Sequence, residues 1–312
     1  MTTTAQAPSV AILLCTHNGQ QFLPEQLDSI ARQTHVHWTV WASDDNSTDT
    51  TREILEHYRA TWGADKLKIL SGPCAGSSAN FLSLVCNSDI SADYFSYADQ
   101  DDIWEPHKLA RSIVHLASTS PAIPALYASR TMLIDNAGHE MGLSGLRTRP
   151  PSFKNALVQN IAGGNTMVFN KAARDVLLSG GAKVRVVVHD WWTYMAVSGA
   201  GGVVINDPAP SLKYRQHEGN QIGSNHGLAA RIVRAIRLLQ GGFRQWTDIN
   251  MNALPAIESH LTPENRQAFR QFCAIRAAPL VPRLIGLFRS GIYRQTTLDN
   301  LGLYLAAALN RL

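Results

Sequence analysis

Asp99-Gln100-Asp101-Asp102 sets three carboxylates within four residues. Like charges that close repel one another, and such clusters persist where a cation or hydrogen-bond donors offset them. One chemistry that uses them is a hard divalent ion held by one or two carboxylates, its other positions filled by water and phosphate oxygens. An exposed acidic loop ahead of a helix starting at Pro106 would explain the same residues. A second polar segment, Asp44-Asp45-Asn46-Ser47-Thr48-Asp49, places an acceptor-only carboxylate where it could take the imide N–H of uracil or thymine. Its residue types also cap helices and close turns, and both uses can hold at once. In His189-Asp190-Trp191-Trp192 a carboxylate stands beside two indoles, which can desolvate it, raise its pKa and make it a better base. His189 is an alternative base, and an Asp N-cap on a helix with a core Trp pair is the structural alternative. In Tyr214-Arg215-Gln216-His217, a neutral imidazole would suit Mn²⁺ better than Mg²⁺, and the planar fork of Arg215 suits phosphate. A lone histidine is more often a satisfied core or surface residue.

These groups need elements to hold them. Val10 to Cys15 is a continuous apolar run followed by the turn-prone Thr16-His17-Asn18-Gly19, the pattern of a buried parallel strand entering a loop. A helix follows, with Pro24 early and Phe22, Leu23, Leu27 and Ile30 at helical spacing. Further strands are expected over Trp38 to Ala42, Leu67 to Leu70 and Tyr94 to Ala98, with helices over Thr50 to Arg59, Ala79 to Cys86 and Pro106 to Ala117. The alternation predicts an α/β layer fold with a mostly parallel sheet flanked by helices, whose ligands bind at the carboxyl ends of the strands. Three polar clusters each fall just after such a strand. Ala125 to Ile134 and Thr166 to Phe169 also look like strands, Val184 to Val188 is apolar and β-branched, and HDWWTYMAVSG is a short helix. Beyond Gly223 the texture becomes helical. Arg231, Arg234 and Arg237 recur on an amphipathic segment, and helices are expected near Glu264 to Ala277 and Thr297 to Leu309.

The opening VAILLCTHNGQQFLPEQLDSIARQT, then WASDDNSTDTT, then SYADQDDIWEPHKL, resembles the family-2 glycosyltransferases of GT-A fold, nearest to their rhamnosyltransferase-like branch. The resemblance covers roughly residues 9 to 225. It implies an inverting, metal-dependent transferase using a nucleoside diphosphate sugar, with dTDP-L-rhamnose the best donor and a glycan or lipid-linked oligosaccharide as acceptor. It further implies that Thr16, Asn18, Asp44, Asp99, Gln100, Asn165 and Arg215 contact the donor. Asp101 and His217 would hold Mn²⁺ or Mg²⁺, and Asp190 would be the base. Gly163-Gly164-Asn165 would line the sugar pocket, glycine allowing close approach and the amide bonding hydroxyls, unless it is a plain turn. The chain departs from the processive synthases of the family in having no QxxRW motif.

Composition agrees with a core-forming enzyme: 312 residues, 45% hydrophobic and 17% charged. The expected division is a catalytic domain over 1–225 and a basic helical region over 226–312. From His226 onward there are eleven arginines, no lysine and four acids, a net of +7, against an overall +4. That asymmetry fits a solvated arginine face on ordinary helices or an anionic partner, and of partners membrane lipid is favoured over nucleic acid because no nucleic-acid motif or aromatic interleaving accompanies the arginines. The N-terminal MTTTAQAPSV lacks the pattern of a signal peptide, no apolar run nears the ~20 residues that cross a bilayer, and four cysteines show no CxxC spacing. The expected place is therefore the cytoplasm, peripheral at the inner membrane face. A sugar-phosphate nucleotidyltransferase also uses strand-end acids, but it would want a Gly-rich basic phosphate loop that Thr16 to Phe22 lacks.

Overall fold

The computed structural model describes residues 7–216 and 242–312. Strand β1 (Val10–Thr16) is buried at every position, as a strand covered on both faces must be. It leads into α1 (Leu23–Ala31), with Pro24 in the first turn and Leu23, Leu27 and Ile30 on the buried face. There follow β2 (Trp38–Asp44), α2 (Thr51–Trp62), β3 (Leu67–Ser71), α3 (Ser77–Val85) and β4 (Tyr94–Ala98). Next are the short β5 (Ile103–Trp104), α4 (Lys108–Leu116), β6 (Ala125–Ile134), β7 (Glu140–Leu143) and α5 (Phe153–Ala156). A 3₁₀ turn at Gly164–Thr166 precedes β8 (Val168–Asn170), α6 (Lys171–Gly180), α7 (His189–Gly199) and β9 (Val203–Arg215). The C-terminal part holds α8 (Gly242–Ala253), a 3₁₀ stretch Leu254–His260, α9 (Pro263–Ala277), α10 (Leu280–Ser290) and α11 (Thr297–Ala308).

The described strands form one sheet in the order β3-β2-β1-β4-β8-β6-β9-β5, with β7 alongside β6. β3, β2, β1 and β4 are parallel, as the βα alternation requires. Beyond β4 the sheet departs from the expected mostly parallel form and is mixed: β8 runs antiparallel to both neighbours, β6 and β9 pair in parallel, and β5 is antiparallel to β9. Strand order reverses at β1, since β2 and β3 build to one side and β4 to the other. The crevice outside the carboxyl ends of β1 and β4 is therefore the switch point where such sheets take ligands.

Side-chain alternation along β1 sends Val10, Ile12 and Leu14 into a core shared with α1, and Ala11 and Leu13 into a larger one beneath the other face. That larger core also contains Trp192, Phe269, Phe272, Leu287 and Leu303, so the C-terminal helices and the sheet bury side chains together. β9 was not legible as a strand because Pro208 and Pro210 lack ladder donors. The structure accommodates them as an irregularity where pairing jumps from Ser129↔Asp207 to Arg130↔Pro210. There Asp207 takes two bonds from Arg111, at 2.5 and 3.0 Å, and one from Tyr127 at 2.7 Å. Burial alone would raise its pKa, but these donors bring it down to about 2. Val184 to Val188 has no regular structure.

Candidate active site

The loops after β1 and β2 are knitted together by the residues expected to meet a nucleotide. The Thr16 hydroxyl donates to Asp44 Oδ1 at 2.9 Å, and Asp44 also accepts from the Ser47 hydroxyl at 2.5 Å and its N–H at 3.2 Å. Asn18, with φ of 48°, donates its N–H to Ser47 Oγ and accepts the Thr48 N–H on its side-chain oxygen at 2.8 Å. Asparagine is among the few non-glycine residues that enter this region readily, through local bonds of this kind. Thr51 and Asp49 accept the N–H groups of Gly19 and Gln20. Gln100 joins the third strand end to the first, taking the His17 N–H at 2.8 Å and donating to the His17 carbonyl at 3.0 Å. A Cβ on Gly19 would collide with that amide. Thr16, Asn18, Asp44 and Gln100 therefore lie along one rim, and much of their hydrogen bonding fixes its shape.

The acidic cluster turns the corner from β4 to β5. Asp99 remains partly accessible, and enclosure by protein, then Asp101, then Asp190 raise its pKa to about 8 against a smaller opposing effect of Lys108. Asp102 is wholly buried. Its Oδ2 accepts from Asn165 Nδ2 at 2.7 Å. Burial, Asp101 and Asp99 hold that carboxyl well above the usual range. Beneath it Lys108 is fully buried, donates to Ser96 Oγ at 3.0 Å and stands 3.8 Å from the Trp104 ring centre. Desolvation lowers the Lys108 pKa to about 7 although Asp102 and Asp99 oppose it. Lys108 and Asp102 were missed as site residues by sequence reasoning. The signal for Lys108 was present: Lys108, Leu109, Ser112 and Leu116 recur at helical spacing, which puts the lysine on the inner face of α4.

Asp190 enters from the first turn of α7. Its Oδ2 accepts the Gly164 N–H at 3.0 Å and its Oδ1 the Trp191 N–H at 2.6 Å. Burial nevertheless raises its pKa to about 6, because desolvation outweighs those donors. The Tyr214 phenol, raised by burial, is raised further by Asp102, Asp99, Asp101 and Asp190 in turn, so the charges of four carboxylates from two chain segments act on one phenol. His189 does not suit the role of alternative base. It is buried, its ring stacks 3.9 Å from that of Phe81 and meets Tyr97 edge-on, and desolvation lowers its pKa to about 3.

Gly164 is required here by space. A Cβ would run into His189 Nε2 and press on the Asp190 side chain, and the clamped imidazole cannot swing aside. Gly164→Ala is expected to lower turnover by roughly tenfold or more through a displaced Asp190, since small misplacements carry costs of that kind. Turnover within twofold of the parent would show that the turn has room to adjust.

The expected pairing of Arg215 with a diphosphate is corrected by the geometry. Its side chain is 3% exposed, and its donors meet the carbonyls of Asp101, Asp135 and Asn136 and the Glu25 carboxylate, over the Phe22 ring. A planar fork so occupied braces the Asp101 backbone. Asn165 gives one of its two amide N–H groups to Asp102. His217 lies outside the described residues, as do Arg231, Arg234 and Arg237. Among the described residues no three His, Cys, Asp or Glu side chains form a group that could hold a metal ion. The chemistry of the cluster still fits a hard divalent cation. Asp99, Asp101 and Asp102 supply only oxygen; Asp101 opposes the ionisation of both Asp99 and Asp102, and Asp99 opposes that of Asp102, which added positive charge would relieve.

Comparison with known proteins identifies the family and the fold. The model of the family Glycosyl transferase family 2 matches residues 11–177. The chain is 30% identical over 236 residues to the dTDP-rhamnosyl transferase RfbG of Shigella flexneri, covering 71% of this chain and 77% of that protein. Among solved structures it resembles the mannosyltransferase PcManGT of Pyrobaculum calidifontis, in complex with GDP-Man and Mn²⁺. That likeness has a TM-score of 0.55 at 19% identity and covers 98% of this chain and 87% of the other. It also resembles S. aureus TarS 1-349 in complex with UDP-GlcNAc, with a TM-score of 0.54 at 16% identity, over 96% and 90% of the two chains. At these identities the structural matches establish the GT-A fold with its helical C-terminal region.

Proposed function

The chain belongs to glycosyl transferase family 2, and from that premise we propose that it transfers a hexose from a nucleoside diphosphate with inversion at the anomeric carbon. The observation that carries the proposal is Asp190. It is a carboxylate with a pKa near neutrality, seated opposite the strand-end acids that would face the donor diphosphate. In this reading Asp190 takes the acceptor hydroxyl proton as the new C–O bond forms and the bond to the diphosphate breaks. Asp101 would hold Mn²⁺ or Mg²⁺, with His217 as the further ligand expected of it. Such an ion, when bound, offsets the charge growing on the leaving nucleotide. Thr16, Asn18, Asp44, Asp99, Gln100 and Asn165 form the nucleotide and sugar rim. Residues 1–225 carry this chemistry, and 226–312 form a basic helical region whose described part, 242–312, shares the core with the sheet.

The donor assigned is dTDP-L-rhamnose, supported by the relative named for that sugar nucleotide. Another UDP- or dTDP-sugar is the alternative. The acceptor is a glycan or lipid-linked oligosaccharide, in bacterial surface polysaccharide synthesis. The test is thermal-shift stabilisation by a panel of nucleotide sugars with and without Mn²⁺. The largest shift is expected with dTDP-L-rhamnose and Mn²⁺. A flat response across the panel would remove the donor-binding reading.

A further inference from the structure

α10 and α11 each bury one face in the core and leave the opposite face apolar. In α10 the buried positions include Arg283, Leu287 and Ser290, whereas Val281, Ile285 and Phe288, spaced i, i+4 and i+7, point away from them. In α11 the buried positions are Leu303, Ala306 and Ala307, and Leu298, Leu301 and Leu305 form the outer stripe. Phe288 is 76% exposed and Leu301 66%. A solvent-facing helix normally carries polar residues on that side, and half of the large apolar side chains exposed among the described residues lie in these two helices and the residue after them. The two helices pack together, and Leu287 of one and Leu303 of the other enter the same core, so their outer faces lie side by side.

Charge identifies the occupant. From Ala278 to Leu312 there are four arginines, of which Arg283 is buried against the carbonyls of Ala278 and Ala307, and one acidic side chain, Asp299, which is bonded to the Thr296 cap. An exposed Arg289 directly follows Phe288. A second copy would bring a like-charged rim against this one. No described helix is long and apolar enough to cross a membrane. We propose that the α10–α11 face rests on an anionic lipid bilayer, its aliphatic and Phe side chains in the acyl boundary and its exposed Arg289 among the headgroups. The surface is distinct from the Arg231–Arg237 segment and independent of the sugar assignment.

The test is co-sedimentation of the full chain with vesicles of phosphatidylethanolamine and phosphatidylglycerol, and with vesicles of phosphatidylcholine alone, at physiological salt. The parent chain is expected on the anionic vesicles, with partitioning onto phosphatidylcholine weaker by about tenfold. Phe288→Gln with Leu301→Gln should cut partitioning to anionic vesicles by about tenfold or more. Met141→Gln with Leu143→Gln, which removes exposed apolar groups from β7, should leave it unchanged. Should the double variant fail to fold, Phe288→Ala alone carries the comparison. Equal partitioning of parent and α10–α11 variant, equal binding to both vesicle types, or no binding by the parent overturns the proposal. So does a dimer in vesicle-free solution that the same double substitution converts to monomer.

Discussion

Asp190→Asn is expected to lower kcat by about 10³-fold while leaving donor affinity within about twofold, since a positioned base is worth about 10² to 10⁴ in rate. Asparagine keeps the size of the side chain, and its carbonyl oxygen can still accept the Gly164 N–H that now reaches Asp190 Oδ2. What it loses is proton affinity. The wild-type pH profile should carry the same signature. A base works deprotonated, and burial holds this one near 6. The rate should therefore fall about tenfold per pH unit below about 6 and level off above it, with the fall absent from the residual activity of the variant. An Asn variant that keeps most of the parent turnover would remove Asp190 from the chemistry, and His189, with its pKa lowered by burial, would not be a ready substitute.

The parallel half of the fold was legible because β1 opens on an uninterrupted apolar run, β2, β3 and β4 are mostly apolar, and the helices between them show their inner faces by spacing. The placement of several candidate site residues was legible too. Strand-end acids announce themselves, and Asp190 stands out beside Trp191 and Trp192. The helix His189–Gly199 was read to the residue. Three things were not legible. β9 hides behind Pro208 and Pro210. β5, two residues long, is an edge pairing with no periodicity to read. Arg215 has the chemistry of a phosphate ligand, and only tertiary contact with Glu25 and the Asp101 carbonyl makes it a brace. A residue type states what a side chain can bond; the packing around it decides which partner it gets. Asp102 makes the same point from the other side, an acid in a motif of acids whose burial against Asn165 no local pattern reveals.

Asp101→Asn is expected to separate function from stability by moving them in opposite directions. In the proposed arrangement the Asp101 carboxylate supplies charge to a divalent ion on the donor diphosphate. An amide oxygen still coordinates but carries no charge. Donor affinity in saturating Mn²⁺ should weaken by about 10²-fold, with metal-free affinity unchanged. Stability should respond the other way, because Asp101 raises the pKa of both Asp99 and Asp102. The folded pKa of Asp99, about 8, lies above its unfolded value, so the fold binds that proton more tightly than the unfolded chain does. Its contribution is fully present below the unfolded pKa and is lost as pH rises towards about 8. Removing the Asp101 charge lowers that folded pKa and lessens the loss. The metal-free variant should then melt higher than the parent at pH 8, by about 2 °C or more, with the gap closing as pH falls through 4. Simple damage to the loop would lower the melting temperature at every pH. An unchanged Mn²⁺ dependence of donor binding, with or without the shift in melting, would take Asp101 off the metal and leave its charge as a burden on the fold alone.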